Sequence, residues 1–416
     1  MSEALLDIET MGLKGDGVAR HEGERVHVPF TLPGEKVHVS LGTGRADLEE
    51  IVTPSADRIA PACPHFGTCG GCALQHWAPE AVARWKRERI LSALRFVGLE
   101  APVGETLPAY GAGRRRVTLH IRRIETPSQT RILAGFMRAK SHDLIDLDTC
   151  PLLVPELAPA PDLARKAGMI LRGIGKPLDF QVTASIEGLD CDIRGAGPIG
   201  EGLRQKLVAF AVEEKLARLT LHGERLMEAR VPRISFEDQP TMAAFLPPGS
   251  FLQATGAAEA QLSVLALEGL SGAKQVADLF CGLGPFGLRL SRKMKVIGYD
   301  SDKAAIEAFQ RSIRANPGGK PVSAEARDLF RRPLYAPELK PFDAVLLDPP
   351  RQGAEAQVKE IVKSKLTRLV YVSCDPESFA RDAKLLCDAG FKISKVTPVD
   401  QFRHSPHVEL VAEMAR

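Results

Sequence analysis

The sequence predicts a multidomain fold: a small N-terminal β-barrel at 1–58, a central α+β region at 59–245 carrying a cysteine cluster, and a C-terminal Rossmann-like α/β domain at 246–416. Three observations predict it. Short strands broken by glycine turns fill the first stretch. Cys63, Cys69 and Cys72 lie within one ten-residue window. In the last stretch apolar strands alternate with helical segments, the pattern of a parallel sheet covered by helices.

With 416 residues, 44% of them hydrophobic, the chain can bury two or three separate cores. Lysine and arginine total 55 against 52 acids, a net charge of +3. That balance alone does not point to nucleic acid, so any basic surface must come from local clustering. The N-terminus carries acids and no long apolar run, which argues against a signal peptide. No stretch reaches the roughly 18 apolar residues of a membrane span. The expectation is a cytosolic, monomeric protein without a membrane partner. In such a chain, eight cysteines suggest metal binding or catalysis before disulfides.

Within the first 58 residues, Gly15-Asp16-Gly17 and Leu32-Pro33-Gly34 mark turns. Val26-His27-Val28 and Val37-His38-Val39 alternate as strands do. A small β module of no special function and an oligonucleotide-binding barrel both fit. Cys63, Cys69 and Cys72, with Gly70 and Gly71 freeing the backbone, can converge on one metal centre. A fourth thiolate must close it. Cys150, in Asp148-Thr149-Cys150-Pro151, is the nearest candidate, and Cys191 competes. Zinc is the generic ion for four cysteines, although the first gap is longer than a zinc-finger knuckle. A helix follows at 79–97, opened by Pro79, closed by Gly98, with a basic edge of Lys86, Arg87 and Arg89. Arg114-Arg115-Arg116 leads into an alternating strand at 117–122, whose basic outer face is either solvated or lines a groove for phosphate. A further helix is expected at 198–217.

In the C-terminal domain, strands are expected at 275–280, 295–300, 343–348, 368–374 and 391–399. A last strand at 407–414 has no helix before it and should enter antiparallel. Asp278, Phe280, Gly282, Gly284 and Gly287 form a strand-to-helix loop, and Asp300 ends the next strand. This is the dinucleotide fingerprint, which fits NAD and S-adenosylmethionine almost equally. Asp278 tilts it, because a carboxylate suits the ammonium of a methionyl ligand better than a pyrophosphate. Asp328 either accepts from an adenine amino group or caps a helix. In Asp348-Pro349-Pro350-Arg351 two prolines stop the sheet and hold Asp348 outward.

Cys374 ends a buried strand, at the edge where open α/β sheets place ligands, and Pro376 opens a helix at 377–388. A cysteine there suggests addition to a nucleic-acid base. A thiolate adding to uracil C6 makes C5 nucleophilic toward an activated methyl group. A base then removes the C5 proton and the thiol is eliminated. Cys374 is the candidate thiolate, with Arg351 favouring its ionisation. Glu409, a carboxylate among Val408, Leu410 and Val411, is the candidate base, and the nearby histidines are alternatives. Cys281 and Cys387 read as structural.

Together, the Asp278 loop, Asp348-Pro349-Pro350-Arg351, Ser373-Cys374-Asp375-Pro376 and the run from Phe402 to Glu409 resemble the RNA 5-methyluridine methyltransferase family. The likeness is to its 23S rRNA branch. It implies Cys374 as nucleophile and Glu409 as base. It implies a cofactor site for S-adenosylmethionine at Gln253, Asp278, Phe280, Gly282, Gly284, Asp300, Asp328 and Asp348. It implies a [4Fe-4S] cluster on Cys63, Cys69, Cys72 and Cys150, and a TRAM domain, an RNA-binding barrel, over the first 58 residues. Barrel and cluster favour rRNA over tRNA as the RNA partner. The resemblance also implies that the helix after Cys72 packs on the catalytic domain. Thr255, Asp300, Asp375 and Arg403 depart from the family's usual residues, and Asp375 places a negative charge beside the thiolate.

Overall fold

A computed structural model describes residues 2–125, 130–139 and 141–416. At the N-terminus, residue alternation produces two small antiparallel sheets. Lys36–Leu41 lies between Glu3–Asp7 and Ala46–Thr53, and Gly17–His21 lies between Thr10–Met11 and Glu24–Val28. Val37 and Val39 are buried with His38 exposed between them, and the buried face joins Leu6, Ile8, Ala19 and Val26 in one core.

The central region is a seven-stranded sheet, running in order Leu144–Asp146, Thr130–Met137, Arg116–Glu125, Leu178–Ser185, Gly188–Arg194, Arg218–Leu221 and Glu224–Glu228. Helices Ala160–Ile170 and Glu201–Glu213 pack against it. The arginine run before this sheet departs from expectation. Arg115 is buried, donates to the Gln253 carbonyl at 3.1 Å and pairs with Glu259. Arg116 donates to Thr183 Oγ1 at 2.8 Å and to the Ser250 carbonyl. Two of the three guanidiniums therefore tie the sheet to the 250–259 segment and do not form an open phosphate face.

The C-terminal region is an α/β domain on an eight-stranded sheet. Its order is Val322–Ala326, Lys295–Asp300, Gln275–Leu279, Ala344–Leu347, Arg368–Ser373, Glu409–Ala415, Lys392–Asp400 and Leu107–Pro108. Only Glu409–Ala415 runs against its neighbours. The consequence is geometric. Parallel strands deliver the Phe280 loop, Asp300, Asp348 and Cys374 to one edge of the sheet. Ser373 pairs with Leu410, so the antiparallel strand begins with Glu409 at that same edge. A parallel last strand would have put Glu409 at the opposite edge.

Helix Pro79–Phe96 belongs in space to this sheet: Ile90 and Leu94 pack with Phe379, Ala383 and Leu386. Lys86 corrects the predicted basic edge. It falls on the buried stripe Val82, Lys86, Ile90, Leu94 and is fully buried. Its ammonium donates to Asp400 Oδ1 at 2.6 Å and to the Phe402 carbonyl at 3.0 Å. Four-residue spacing decides the side a residue faces, and the ion pair with Asp400 makes burial of the charge tolerable. Among the described residues no helix is long and apolar enough to cross a membrane.

Candidate active site

The Gln275–Leu279 strand ends in a tight loop in which Phe280, Gly282 and Gly284 have φ of 65°, 52° and 71°. A Cβ on Gly284 would come within 2.3 Å of the Phe309 ring, so only glycine fits there. Phe280 pays for its left-handed backbone with order 1 kcal/mol of strain, and its ring lies 5.2 Å from that of Phe330. Asp300 accepts from the amides of Gly282 and Asp302, both at 2.9 Å, which fixes the loop. Asp328 Oδ1 accepts from the amides of Phe330 and Arg331, at 3.0 and 3.2 Å, so this oxygen caps a turn.

Asp278 lies under the loop, fully buried, and neither carboxylate oxygen has a hydrogen-bond partner. Burial, then the charge of Asp300, pushes its pKa up to about 7. The Gly287 amide is near enough to oppose the rise without reaching hydrogen-bond geometry. A buried, unpaired carboxylate is unfavourable until a cationic donor meets it. Next to it, Gln253, Phe280, Gly282 and Asp348 line one cavity. Asp348 is partly buried in that lining, and burial, with Glu409, Asp278 and Asp300 close by, holds its carboxyl well above the usual range.

Cys374 emerges one residue beyond Ser373, and Asp375 caps the following helix by accepting from the Ser378 amide at 2.9 Å. Burial pushes the Cys374 thiol up to about 11, and the charges of Glu409 and Asp348 add to this. Arg351 pulls the other way, as expected, but is outweighed, so the sulfur is a thiol at neutral pH. Asp375 raises it too, as the smallest of these influences. Glu409 is 4% exposed, and burial lifts its carboxyl to about 7. Arg351 lies 2.8 Å from His407 Nδ1, and burial with the nearby guanidiniums lowers His407 to about 4, leaving it neutral.

Gln401 was not legible in the sequence. Buried, it donates from Nε2 to Glu409 Oε1 at 2.9 Å and to Gln253 Oε1 at 2.7 Å, and accepts from the Ala254 amide at 2.8 Å. One amide thereby connects Gln253 to Glu409. Its only sequence signal was its place directly after an apolar strand.

Cys63, Cys69, Cys72 and Cys150 line a second cavity, and none forms a disulfide. Cys191 is buried in the central core instead. Burial raises the Cys72 thiol to about 11, with Cys150, Cys69 and Cys63 adding to the rise. Among the described residues, no three ligand-type side chains meet at metal-binding geometry. The sulfurs share a cavity without meeting at a point. The segment beyond them reaches the active site: the amides of Ala73 and Leu74 donate to the His404 carbonyl at 2.8 and 3.1 Å. Gln253 and Gln401 line this cavity too.

Residues 234–414 match the model of the tRNA (uracil-5-)-methyltransferase family. An RNA methyltransferase of Caulobacter vibrioides is 44% identical over 417 residues, 99% of each chain. One from Brucella suis is 42% identical over 411 residues, 99% of this chain and 97% of the relative. The chain belongs to the RNA uracil-5-methyltransferase family. A family member from Cronobacter sakazakii, named 23S rRNA (uracil(1939)-C(5))-methyltransferase RlmD, is 32% identical over 99% of this chain and 96% of its own. The fold is also that of the Pyrococcus abyssi tRNA (uracil-54, C5)-methyltransferase, solved with S-adenosyl-L-homocysteine, at a TM-score of 0.72 and 22% identity over the full length of both.

The raised carboxyl of Glu409 has a signature in stability. Its folded pKa lies above the ordinary 4.5, so its contribution is fully present below 4.5 and is lost as pH rises toward about 7. Relative to Glu409→Gln, the melting temperature of the wild type is expected to fall across that window and to hold level above it. A difference that is flat from pH 4.5 to 7 would mean that Glu409 ionises as a free carboxyl.

Proposed function

We propose that this enzyme methylates C5 of one uridine in 23S rRNA, with Cys374 as nucleophile and Glu409 as base. The observation that carries this reading is the antiparallel register that brings Cys374 and Glu409 to one sheet edge, beside Asp348 and the Asp278 loop. The full-length relative named for 23S rRNA supports the RNA class. The tRNA-named structure supports the fold alone.

S-adenosylmethionine would supply the methyl group and a cationic sulfonium. The unpaired Asp278 carboxylate fits its ammonium, and Gln253, Phe280, Gly282, Gly284, Asp300, Asp328 and Asp348 complete the candidate site. Neutralising Asp348 removes part of what keeps the proton on Cys374. The target base leaves its stack to reach the edge. The Cys374 thiolate bonds to C6, and the electrons of the C5–C6 double bond make C5 nucleophilic. After C5 takes the methyl group, Glu409 takes the C5 proton, the C6–S bond breaks and the double bond returns. With a carboxyl near 7, Glu409 is matched to that task at neutral pH, whereas His407 is held neutral and engaged by Arg351. Cys63, Cys69, Cys72 and Cys150 would hold a [4Fe-4S] cluster, which would cross-link the segment that grips His404. The N-terminal sheets would act as a TRAM-type RNA-binding module.

RNA carrying 5-fluorouridine tests the chemistry, because fluorine at C5 cannot leave as a proton. With S-adenosylmethionine present, a denaturation-resistant adduct is expected with 23S fragments, and none with Cys374→Ala. An adduct with tRNA only would move the substrate to tRNA. No adduct with any uridine-bearing RNA that binds would eliminate the thiolate mechanism. For the cluster, protein purified without oxygen is expected to contain iron and acid-labile sulfide, both lost in Cys69→Ser. Zinc without sulfide at those cysteines would replace the cluster by a zinc site.

A further inference from the structure

The cavity around Cys374 has a wall that the mechanism does not use. Lys14 and Leu13 line it, from the turn between Thr10–Met11 and Gly17–His21. Arg89 lines it from helix Pro79–Phe96. The turn is seated on the active-site scaffold. Gly15 has φ 82°, and a Cβ there would lie 3.0 Å from Leu74, whose amide holds the His404 carbonyl. Arg89 donates to the Pro406 carbonyl, while its buried Nε has no partner. Lys14, Arg89 and Arg351 thus face the cavity, whose lining carboxylate is Asp375, one oxygen of which already caps a helix, while Glu377 lies 4.0 Å from Arg89.

Leu13 and Arg89 also line a second, larger groove along the same helix. The two residues form the saddle between the groove and the Cys374 cavity. Trp85, Arg89, Ser92 and Phe96, at spacings of four, three and four, share the helix face that lines this groove. The other face, with Val82, Lys86, Ile90 and Leu94, is the buried one. Phe96 is 92% exposed at the far end. The rest of the groove mixes arginines 84, 87 and 381 with Glu9, Asp57, Glu88, Glu105 and Glu377, so it does not attract phosphates as the saddle, with Lys14, does. It offers aromatic and apolar surface, which suits bases.

We propose that the RNA strand flanking the target uridine crosses this saddle, with a neighbouring phosphodiester held by Lys14 and Arg89 and a base further along stacked on Phe96. The proposal rests on the uridine-methylation reading and specifies where the flanking strand runs. It makes the N-terminal sheets a direct part of the substrate site and not only a tether for distant RNA.

Steady-state methylation of an RNA that gives the Cys374 adduct tests it. Lys14→Ala is expected to raise KM about tenfold at low salt with kcat unchanged. It should flatten the plot of log KM against log salt by about 0.7, the slope of one single-strand phosphate contact. Lys14→Arg should restore both. Phe96→Ala is expected to raise KM by about fivefold or more without changing the salt slope. Lys36→Ala, on a neighbouring strand outside both cavities, is the control for loss of general charge. Lys14 and Phe96 are both exposed, so these variants should fold. If the wild type forms the adduct while Lys14→Ala and Phe96→Ala behave like Lys36→Ala, this strand path is wrong. If the wild type forms no adduct, the uridine reading itself fails.

Discussion

A buried ion pair between residues 314 positions apart, Lys86 and Asp400, fixes the geometry on which the active site depends. Removing two charges from water costs several kcal/mol per ion, and the mutual attraction offsets that cost only when the geometry is close. Here it is close. Asp400 also accepts from Tyr110 at 2.8 Å and from the Phe402 amide, and Lys86 reaches the Phe402 carbonyl. Gln401 is therefore held on both sides, which leaves its side chain to join Gln253 and Glu409. Further along, His404 sits at φ 63°, with its carbonyl gripped by Ala73 and Leu74. Helix, cysteine segment and active-site loop form one framework, and breaking one half of such a pair generally costs about 3–5 kcal/mol.

Electrostatics at the sheet edge are dominated by carboxylates. Burial lifts Asp278, Asp348 and Glu409 from their ordinary values, with Asp300 adding to the rise at Asp278 and Glu409, Asp278 and Asp300 adding to it at Asp348. Burial, Glu409 and Asp348 in turn raise the Cys374 thiol. Such a site favours a cationic ligand. Burial likewise raises the thiols of Cys69, Cys72 and Cys150, and neighbouring cysteines of the group add to each rise.

Much of this was legible where the constraint is local. The glycine loop could be read because Gly284 has no room for a side chain, and the double proline after Asp348 because proline cannot continue a sheet. The antiparallel last strand could be read because no helix precedes it. What was not legible depends on distant partners. Lys86 read as part of the helix's basic edge, together with Arg87 and Arg89, until Asp400 was found against it. Arg115 and Arg116 read as part of a basic run that is either solvated or lines a phosphate groove, and neither holds once they are seen bonded to 250–259. Gln401 gave no local signal, since its meaning lies in Gln253 and Glu409. The joining of Leu107–Pro108 to a sheet built mostly from residues after 274 is likewise invisible to periodicity.

The most direct measurement of the proposed chemistry is single-turnover methylation by Glu409→Gln, with the RNA examined on denaturing gels. With Glu409 as the base, methyl transfer should proceed and elimination should stall. A Cys374–RNA adduct that already carries the new methyl group should then accumulate. Release of free methylated RNA at the wild-type rate, with no adduct, would contradict this and remove Glu409 from the reaction.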